Sequence, residues 1–176
     1  MVSLLRRLRR DKRGVSAVEF ALLAPVIIVF YFGLAEFCQG YMAQKRMGHV
    51  ASAVADLVAQ STSVTTAQVD DIFAIGALIM KPFSGTPLKQ RVTSVTRDDN
   101  GVAKVDWSRG SGMTARAKGA TVSVPNGVID DGESLIMTEA TYDYDSPVDY
   151  LMPSITRFSH SYYLRPRNTN VVALTD

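Results

Sequence analysis

The feature that most constrains this chain is an apolar run near its N-terminus that directly follows a basic cluster. Between residues 15 and 35 the only charged side chain is that of Glu19. A helix over these 21 residues is about 30 Å long, which equals the hydrocarbon thickness of a bilayer. The preceding leader holds six basic residues: Arg6, Arg7, Arg9, Arg10, Lys12 and Arg13. Since basic residues stay on the cytoplasmic side, we predict a transmembrane helix with a cytoplasmic N-terminus, in preference to a buried core helix.

The distribution of charge argues against nucleic-acid binding. The net charge of +2 comes from the leader, because the chain from Val15 onward has 13 basic and 16 acidic residues, a formal charge of −3. The basic cluster is terminal and adjoins an apolar run. It therefore indicates a membrane, and no nucleic acid, as the partner.

Two kinds of processing are compatible with this N-terminus. Residues 33–35 (Gly-Leu-Ala) offer small side chains before Glu36, as at a signal-peptidase site, and cleavage there would release a soluble body. The apolar run and the leader are both long for a signal peptide, which counts against this alternative. The other possibility is a cut at Gly14, which separates the leader from the apolar run and is followed by Glu19 and Phe20.

The sequence around Gly14 resembles a family of pilus proteins. Residues 9–25 read Arg-Arg-Asp-Lys-Arg-Gly-Val-Ser-Ala-Val-Glu-Phe-Ala-Leu-Leu-Ala-Pro, which is similar to the opening of TadE-like proteins. These proteins are minor pilin-like components of the Tad (tight adherence) pilus machinery. Residues 33–36 and 54–60 fit the same pattern, so the resemblance covers about the first third of the chain.

The resemblance implies how the N-terminus is used. It implies that a prepilin peptidase cuts between Gly14 and Val15 on the cytoplasmic side and that the apolar helix stays in the membrane. It also assigns assembly or motif roles to four further residues: Glu19, Phe20, Pro25 and Glu36. The implied partners are the inner membrane, the prepilin peptidase, and other pilin-like and Tad assembly proteins.

The position of Glu19 allows two interpretations. It lies only five residues, about 7.5 Å, inside Gly14, so the uncut chain can hold it as an interfacial acid favoured by the helix dipole. After a cut at Gly14, the new ammonium of Val15 would lie four residues before Glu19 on the same helix face. Glu19 could instead reach the ammonium of a neighbouring subunit, the arrangement that the family resemblance favours.

The helical pattern continues well beyond the membrane segment. Apolar residues recur at spacings of three and four: Met47, Val50 or Ala51, Val54, and Leu57 or Val58. Gly40 and Gly48 are weak points at which this helix could bend. A second helix follows, with Thr65 and Gln68 as a capping box and Lys81-Pro82 at its end.

The C-terminal part of the chain has strand patterns. Four segments are rich in β-branched residues or alternate in polarity: Leu88–Arg97, Val102–Ser108, Leu135–Tyr144 and Ile155–Arg165. In the second segment we expect Ala103, Val105 and Trp107 on one face. The tail after Pro166 is expected to fray.

The predicted fold is therefore α+β. It comprises a long N-terminal transmembrane helix that continues into a periplasmic helix, a second helix, and an antiparallel β-sheet of about four strands with helices on one face. The chain divides into a basic cytoplasmic leader (1–14), the transmembrane helix (15–35), a periplasmic helix extension (36–60) and a globular α+β periplasmic domain (61–176).

The sequence holds no set of residues typical of an enzyme or a metal site. It has one cysteine and two histidines, and no nucleophile or phosphate-loop motif, so we predict no catalytic activity, no cofactor and no metal. Asp143, Asp145 and Asp149 faintly resemble a calcium loop, but Val148 and Ser154 replace its glycine and glutamate.

Two single residues have competing interpretations. We interpret His160, on an apolar strand face, as a hydrogen-bonded core histidine and not as a ligand. Cys38 follows the membrane segment directly. We interpret it as a small buried hydrophobe, with a disulfide between two chains in an oxidising periplasm as the alternative.

These observations favour one function. The chain is predicted to be a membrane-anchored minor pilin-like (pseudopilin) component of Tad pilus assembly, acting in assembly or initiation and in surface adhesion. It would cross the bacterial inner membrane once, with its C-terminal domain in the periplasm. The alternative is a membrane-anchored extracytoplasmic binding or sensing module that does not polymerise, which would need a pocket in the body and would not depend on Gly14.

Overall fold

The computed structural model describes residues 14–125, 127–146 and 156–175. In chain order the elements are α1 (Val15–Ala59), β1 (Ser63–Thr65), α2 (Thr66–Ile79), β2 (Leu88–Arg97), β3 (Ala103–Ser111), β4 (Ser134–Tyr144), β5 (Thr156–Leu164) and β6 (Ala173–Thr175). The α+β fold, with a long apolar first helix, a second helix and a four-stranded antiparallel sheet, is confirmed. Residues 1–13 of the basic leader lie outside the described residues, as does Asp149 in the segment that faintly resembles a calcium loop.

Helix α1 is a single element of 45 residues, about 68 Å long, and it is not interrupted at Pro25, Gly40 or Gly48. Its two halves differ in environment. Residues 15–32 are exposed apart from the half-buried Ala24. From Gly33 onward a stripe at spacings of three and four is buried: Gly33, Glu36, Gly40, Ala43, Met47, Val50, Ala51, Val54, Ala55, Val58 and Ala59. The small residues in this stripe let the helix backbone lie close to the rest of the protein.

The four-stranded sheet has the order β3-β2-β4-β5, and α1 packs mainly on β4 and β5. Helix α2 lies beside α1 on the same face. It begins as predicted, because the Gln68 backbone N–H donates to Thr65 Oγ1 at 3.2 Å while Gln68 Oε1 accepts from the Thr65 N–H at 2.9 Å. This helix-facing side contains the larger of two apolar cores.

The expectation that Ala103, Val105 and Trp107 share one face is wrong. Ser94 pairs with Trp107 whereas Val95 pairs with Val105, so Asp106 is an extra residue in β3. Such a β-bulge turns the residues before and after it to opposite faces. Trp107 consequently lies in the helix-side core, and Ala103 and Val105 lie in a second core on the other face of the sheet.

The second core is covered by a segment with little regular structure. Val122 and Ile129 of this segment pack against Val95, Leu135 and Met137 of the sheet. This segment, which lies between β3 and β4, is rich in glycine and polar residues. The structure shows that the loop also supplies the apolar cover for the sheet face that no helix occupies.

The C-terminal tail is ordered, so the prediction of a frayed end is wrong. Strand β6 pairs in parallel with β1, and Val172 just before it is fully buried. The backbone N–H of Arg167 donates to the carbonyl of Ala59 at 2.9 Å, which fixes the tail to the end of α1. The tail thus closes the body at the end far from the apolar half of α1.

Candidate membrane and assembly segment

Gly14 lies at the boundary where helical structure begins. It is the N-cap of α1, with φ −93° and ψ −7°, and its carbonyl accepts a 3.1 Å hydrogen bond from the backbone N–H of Val18. A Cβ atom added at Gly14 would have no described heavy atom within 4 Å. Neither the backbone angle nor local packing in the described structure therefore requires a glycine at this position.

Glu19, Phe20 and Pro25 all lie on the exposed part of α1. Phe20 is 70% exposed, as expected for a side chain that would face lipid. Among the described residues, no side chain forms an ion pair or hydrogen bond with Glu19. The helix continues through Pro25, although its ring leaves one backbone carbonyl of the preceding turn without an N–H donor. The first turns of α1 thus bring the predicted cleavage site, Glu19 and Phe20 together.

Glu36 has the opposite environment, because it is fully buried. It lies near Tyr144 of β4, where burial raises the pKa of the phenol and the negative charge of Glu36 adds to that rise. The Tyr144 ring makes an edge contact with Phe83 at 6.1 Å between centroids and a tilted contact with Phe158 at 6.0 Å. Glu36 therefore belongs to the joint between α1 and the body.

The predicted site residues do not converge on one pocket. Glu19 and Glu36 are 17 residues apart on one continuous helix, which corresponds to about 26 Å along its axis. The segment between them is apolar and exposed. The arrangement is a continuous helix with an acid near each end of its apolar segment: Glu19 is remote from the body, and Glu36 is buried against it.

The segment that runs from Gly14 at the helix start to the buried Glu36 also has the sequence pattern of a known protein family. Residues 14–56 match the family of TadE-like proteins. The resemblance stated from the sequence is thereby confirmed for this segment, which covers about a quarter of the chain. No curated protein and no solved structure matches the chain.

The TadE-like segment begins at Gly14 and ends at Asp56, so it coincides with almost all of α1. In the described part of the chain, α1 is the one helix long and apolar enough to cross a membrane. Its most apolar stretch has no protein packed on it. These findings fit a single-pass membrane anchor in a protein associated with the Tad pilus.

Asp143, in the segment that faintly resembles a calcium loop, forms ion pairs with two basic side chains of the body. Asp143 Oδ1 accepts a 2.5 Å hydrogen bond from Arg157 Nε, and Lys89 Nζ lies 3.4 Å from its other oxygen. These cations hold the pKa of Asp143 below its ordinary value, chiefly through the Arg157 hydrogen bond. Within the described ranges no group of three or more His, Cys, Asp or Glu side chains could hold a metal ion.

Two interpretations of single residues are corrected. His160 is exposed, so it is not a core histidine. It lies on β5, an edge strand of the sheet, and an edge strand has neighbouring side chains on one side alone. Cys38 is also exposed and is therefore not a buried small hydrophobe.

One feature of α1 was not predicted from the sequence. The face opposite the buried stripe stays apolar for two turns past residue 35, with Leu34, Phe37, Tyr41 and Met42 all about half exposed or more. The rings of Phe37 and Tyr41 stack at 6.5 Å, and Lys45 Nζ lies 5.4 Å from the Tyr41 ring centroid. Positions 34, 37, 38, 41 and 42 have the spacing of one helix face, so this apolar face could have been predicted from the sequence.

Proposed function

We propose that this chain is a minor pilin-like (pseudopilin) component of Tad pilus assembly, anchored in the bacterial inner membrane with its body in the periplasm. A prepilin peptidase would cut it between Gly14 and Val15. It would then act with other pilin-like and Tad assembly proteins in initiating the pilus and in surface adhesion. The observation that carries the proposal is the division of α1 into an exposed apolar half and a half fixed to a folded body.

That division is the property a pilin-like subunit needs. The exposed half can lie in the bilayer before assembly and against other apolar helices afterwards, because neither environment requires it to contact its own body. The packed half fixes the direction in which the body is presented. A soluble protein would gain nothing from a half-helix with large exposed apolar side chains, since such surfaces promote aggregation.

The local structure at Gly14 supports the cleavage step. Since the described fold does not require glycine there, its presence is better explained by recognition of the chain by a peptidase. A cut would create an ammonium at the N-terminus of α1, where the helix dipole disfavours positive charge. Glu19, one turn further along, could offset that charge in the same chain or in a neighbour.

The mature N-terminus, determined by mass spectrometry of protein isolated from membranes, tests this proposal. A chain that starts at Val15 supports it. A chain that starts at Glu36 would be a soluble secreted protein, and a chain that retains Met1 would be an uncut anchored factor; either result contradicts the cleavage step.

A substitution separates the pilin-like role from the non-polymerising alternative. Gly14→Val should block cleavage and abolish Tad-dependent surface attachment while the body still folds, since Gly14 is remote from both apolar cores. Val18→Ala, one turn further along, is the matched control and should be processed normally. Attachment that persists in uncut Gly14→Val protein would favour a binding or sensing module.

A further inference from the structure

The exposed face of α1 stays apolar up to Met42 and then becomes polar. Leu34, Phe37, Cys38, Tyr41 and Met42 form what we call the upper apolar face, at positions i, i+3, i+4, i+7 and i+8. Directly beyond it the exposed residues become polar and basic: Gln44, Lys45, Arg46 and His49. The change occurs within a single turn.

The length of the helix places this face at the depth of the lipid headgroups. Residues 15–35 already span about 30 Å, the full hydrocarbon thickness. A bilayer with both headgroup layers measures about 40–45 Å, so each headgroup layer adds about 5–7 Å, whereas Met42 lies seven residues, about 10 Å, beyond residue 35. An upright helix that fills the hydrocarbon with residues 15–35 therefore holds Phe37 and Cys38 in the outer headgroup layer. The side chains of Tyr41 and Met42 tilt towards the helix N-terminus and so reach back to the outer edge of that layer.

We infer that the upper apolar face is a lipid-contact surface at the headgroup layer of the outer leaflet. The inference rests on the membrane anchoring proposed above. Tyrosine is enriched at this depth, since its ring is apolar while its hydroxyl stays hydrated. Lys45 extends from the adjoining turn back over the Tyr41 ring, so its ammonium is directed towards the lipid phosphates.

The same depth on the other face of α1 is occupied by protein. Gly33, Glu36 and Gly40 are buried at the level where Leu34, Phe37 and Tyr41 are exposed. One side of the helix is thus sealed by the body while the other meets lipid. As a consequence, the lower edge of the body reaches the depth of the headgroup layer beside the helix.

A phospholipid layer fits this face better than a second copy of the chain. Two parallel copies that paired through the upper apolar face would bring their Lys45 ammonium groups together, whereas lipid phosphates would complement them. The Arg46 side chain is directed towards the end of α2, where its Nη1 donates to the carbonyl of Ile79 at 3.2 Å, so it does not belong to this face.

The single cysteine of the chain lies in this face and gives a direct test. A fluorophore on Cys38 of the full-length protein, in vesicles of phosphatidylethanolamine and phosphatidylglycerol, reports depth through quenching by nitroxide lipids and by iodide. Two matched variants set the scale. Cys38→Ser with Val26→Cys labels the predicted bilayer centre, and Cys38→Ser with His49→Cys labels the same helix face about 16 Å above Cys38.

The inference predicts that shallow nitroxides quench the Cys38 label several-fold more strongly than deep ones, and that iodide quenches it several-fold less than the label at position 49. If the label at position 26 escapes deep nitroxides, membrane anchoring fails and the inference fails with it. If position 26 is deep while Cys38 matches position 49, the inference alone is overturned. Oxidative dimerisation through Cys38 with little lipid quenching would also overturn it, in favour of a second copy.

Discussion

The indole Nε1 of Trp107 donates a 2.7 Å hydrogen bond to the carbonyl oxygen of Val172, which lies 65 residues later in the chain. Both residues are almost completely buried. The bond joins β3 to the C-terminal tail at the point where the tail turns into β6. It explains why the tail is ordered, since a buried carbonyl needs a donor and the indole supplies one.

We expect Trp107→Phe to lower the free energy of unfolding by about 1–3 kcal/mol, because the Val172 carbonyl would stay buried without a donor. Urea unfolding of the full-length protein in detergent, followed by far-UV circular dichroism, measures the change. Tyr162→Phe is the control, because this exposed hydroxyl makes no hydrogen bond within the described residues. An unaltered stability in Trp107→Phe would show that the bond does not hold the tail.

The features predicted correctly from the sequence are those with local causes. The capping box at Thr65 and Gln68 needs four residues, and both of its bonds are present. The four long strands follow from their own composition. The apolar character of the first half of α1 follows from the run itself and requires no partner.

The features that were missed depend on residues far apart in the sequence. The bulge at Asp106 places Trp107 and Val105 on opposite faces, and it can be recognised once the pairing with β2 is known. The parallel pair of β1 and β6 joins two three-residue strands over more than 100 positions. Glu36 was identified from family resemblance, but its burial depends on partners such as Tyr144.

Replacing two helical glycines by alanine should change the stability of the protein in opposite directions. At Gly76 in α2, alanine should destabilise it. A Cβ atom added there would overlap Gln90 Oε1 and approach Val50 Cγ1 to 3.1 Å. Gln90 is buried, and its Nε2 donates to the Phe73 carbonyl at 3.0 Å, so it cannot move away without losing that bond. We expect Gly76→Ala to lower the free energy of unfolding by about 1–3 kcal/mol.

Gly48→Ala is the matched change in α1. The nearest atom to an added Cβ is His160 Cδ2 at 4.0 Å, an ordinary contact distance. Alanine should therefore stabilise the protein by up to about 1 kcal/mol through its helix propensity. Urea unfolding of both variants checks the pair, and a shift of the same sign in both would contradict the packing described here.

The Asp143 carboxylate links the stability of the body to pH. Its hydrogen bond from Arg157, together with Lys89, lowers its pKa below the ordinary 3.8. A lowered pKa in the folded state stabilises the protein above the ordinary pKa, and this contribution is lost as pH falls through the lowered value. Asp143→Asn should therefore be less stable than wild type at pH 6, and the difference should shrink towards pH 3.

The size of this effect is limited by solvent, because Arg157 is well exposed. A difference of at most about 1 kcal/mol at pH 6 is expected for such a pair. Thermal unfolding between pH 3 and 7 measures it, with Asp71→Asn, an exposed acid without an ion pair among the described residues, as the control. A difference that grows as pH falls would contradict the assigned sign.

The last prediction concerns Glu19, whose carboxylate is exposed in the apolar half of α1 and unpaired within the described residues. If it binds the Val15 ammonium of a neighbouring subunit, Glu19→Gln should leave cleavage intact but reduce incorporation into sheared Tad pili or assembly complexes. A loss of about tenfold corresponds to about 1.4 kcal/mol, reasonable for one ion pair in an apolar setting. Immunoblots of sheared and membrane fractions measure it, and Glu19→Asp, which keeps the charge, should recover part of the loss. If Glu19→Gln assembled like the wild type, Glu19 would be an interfacial acid with no part in subunit pairing.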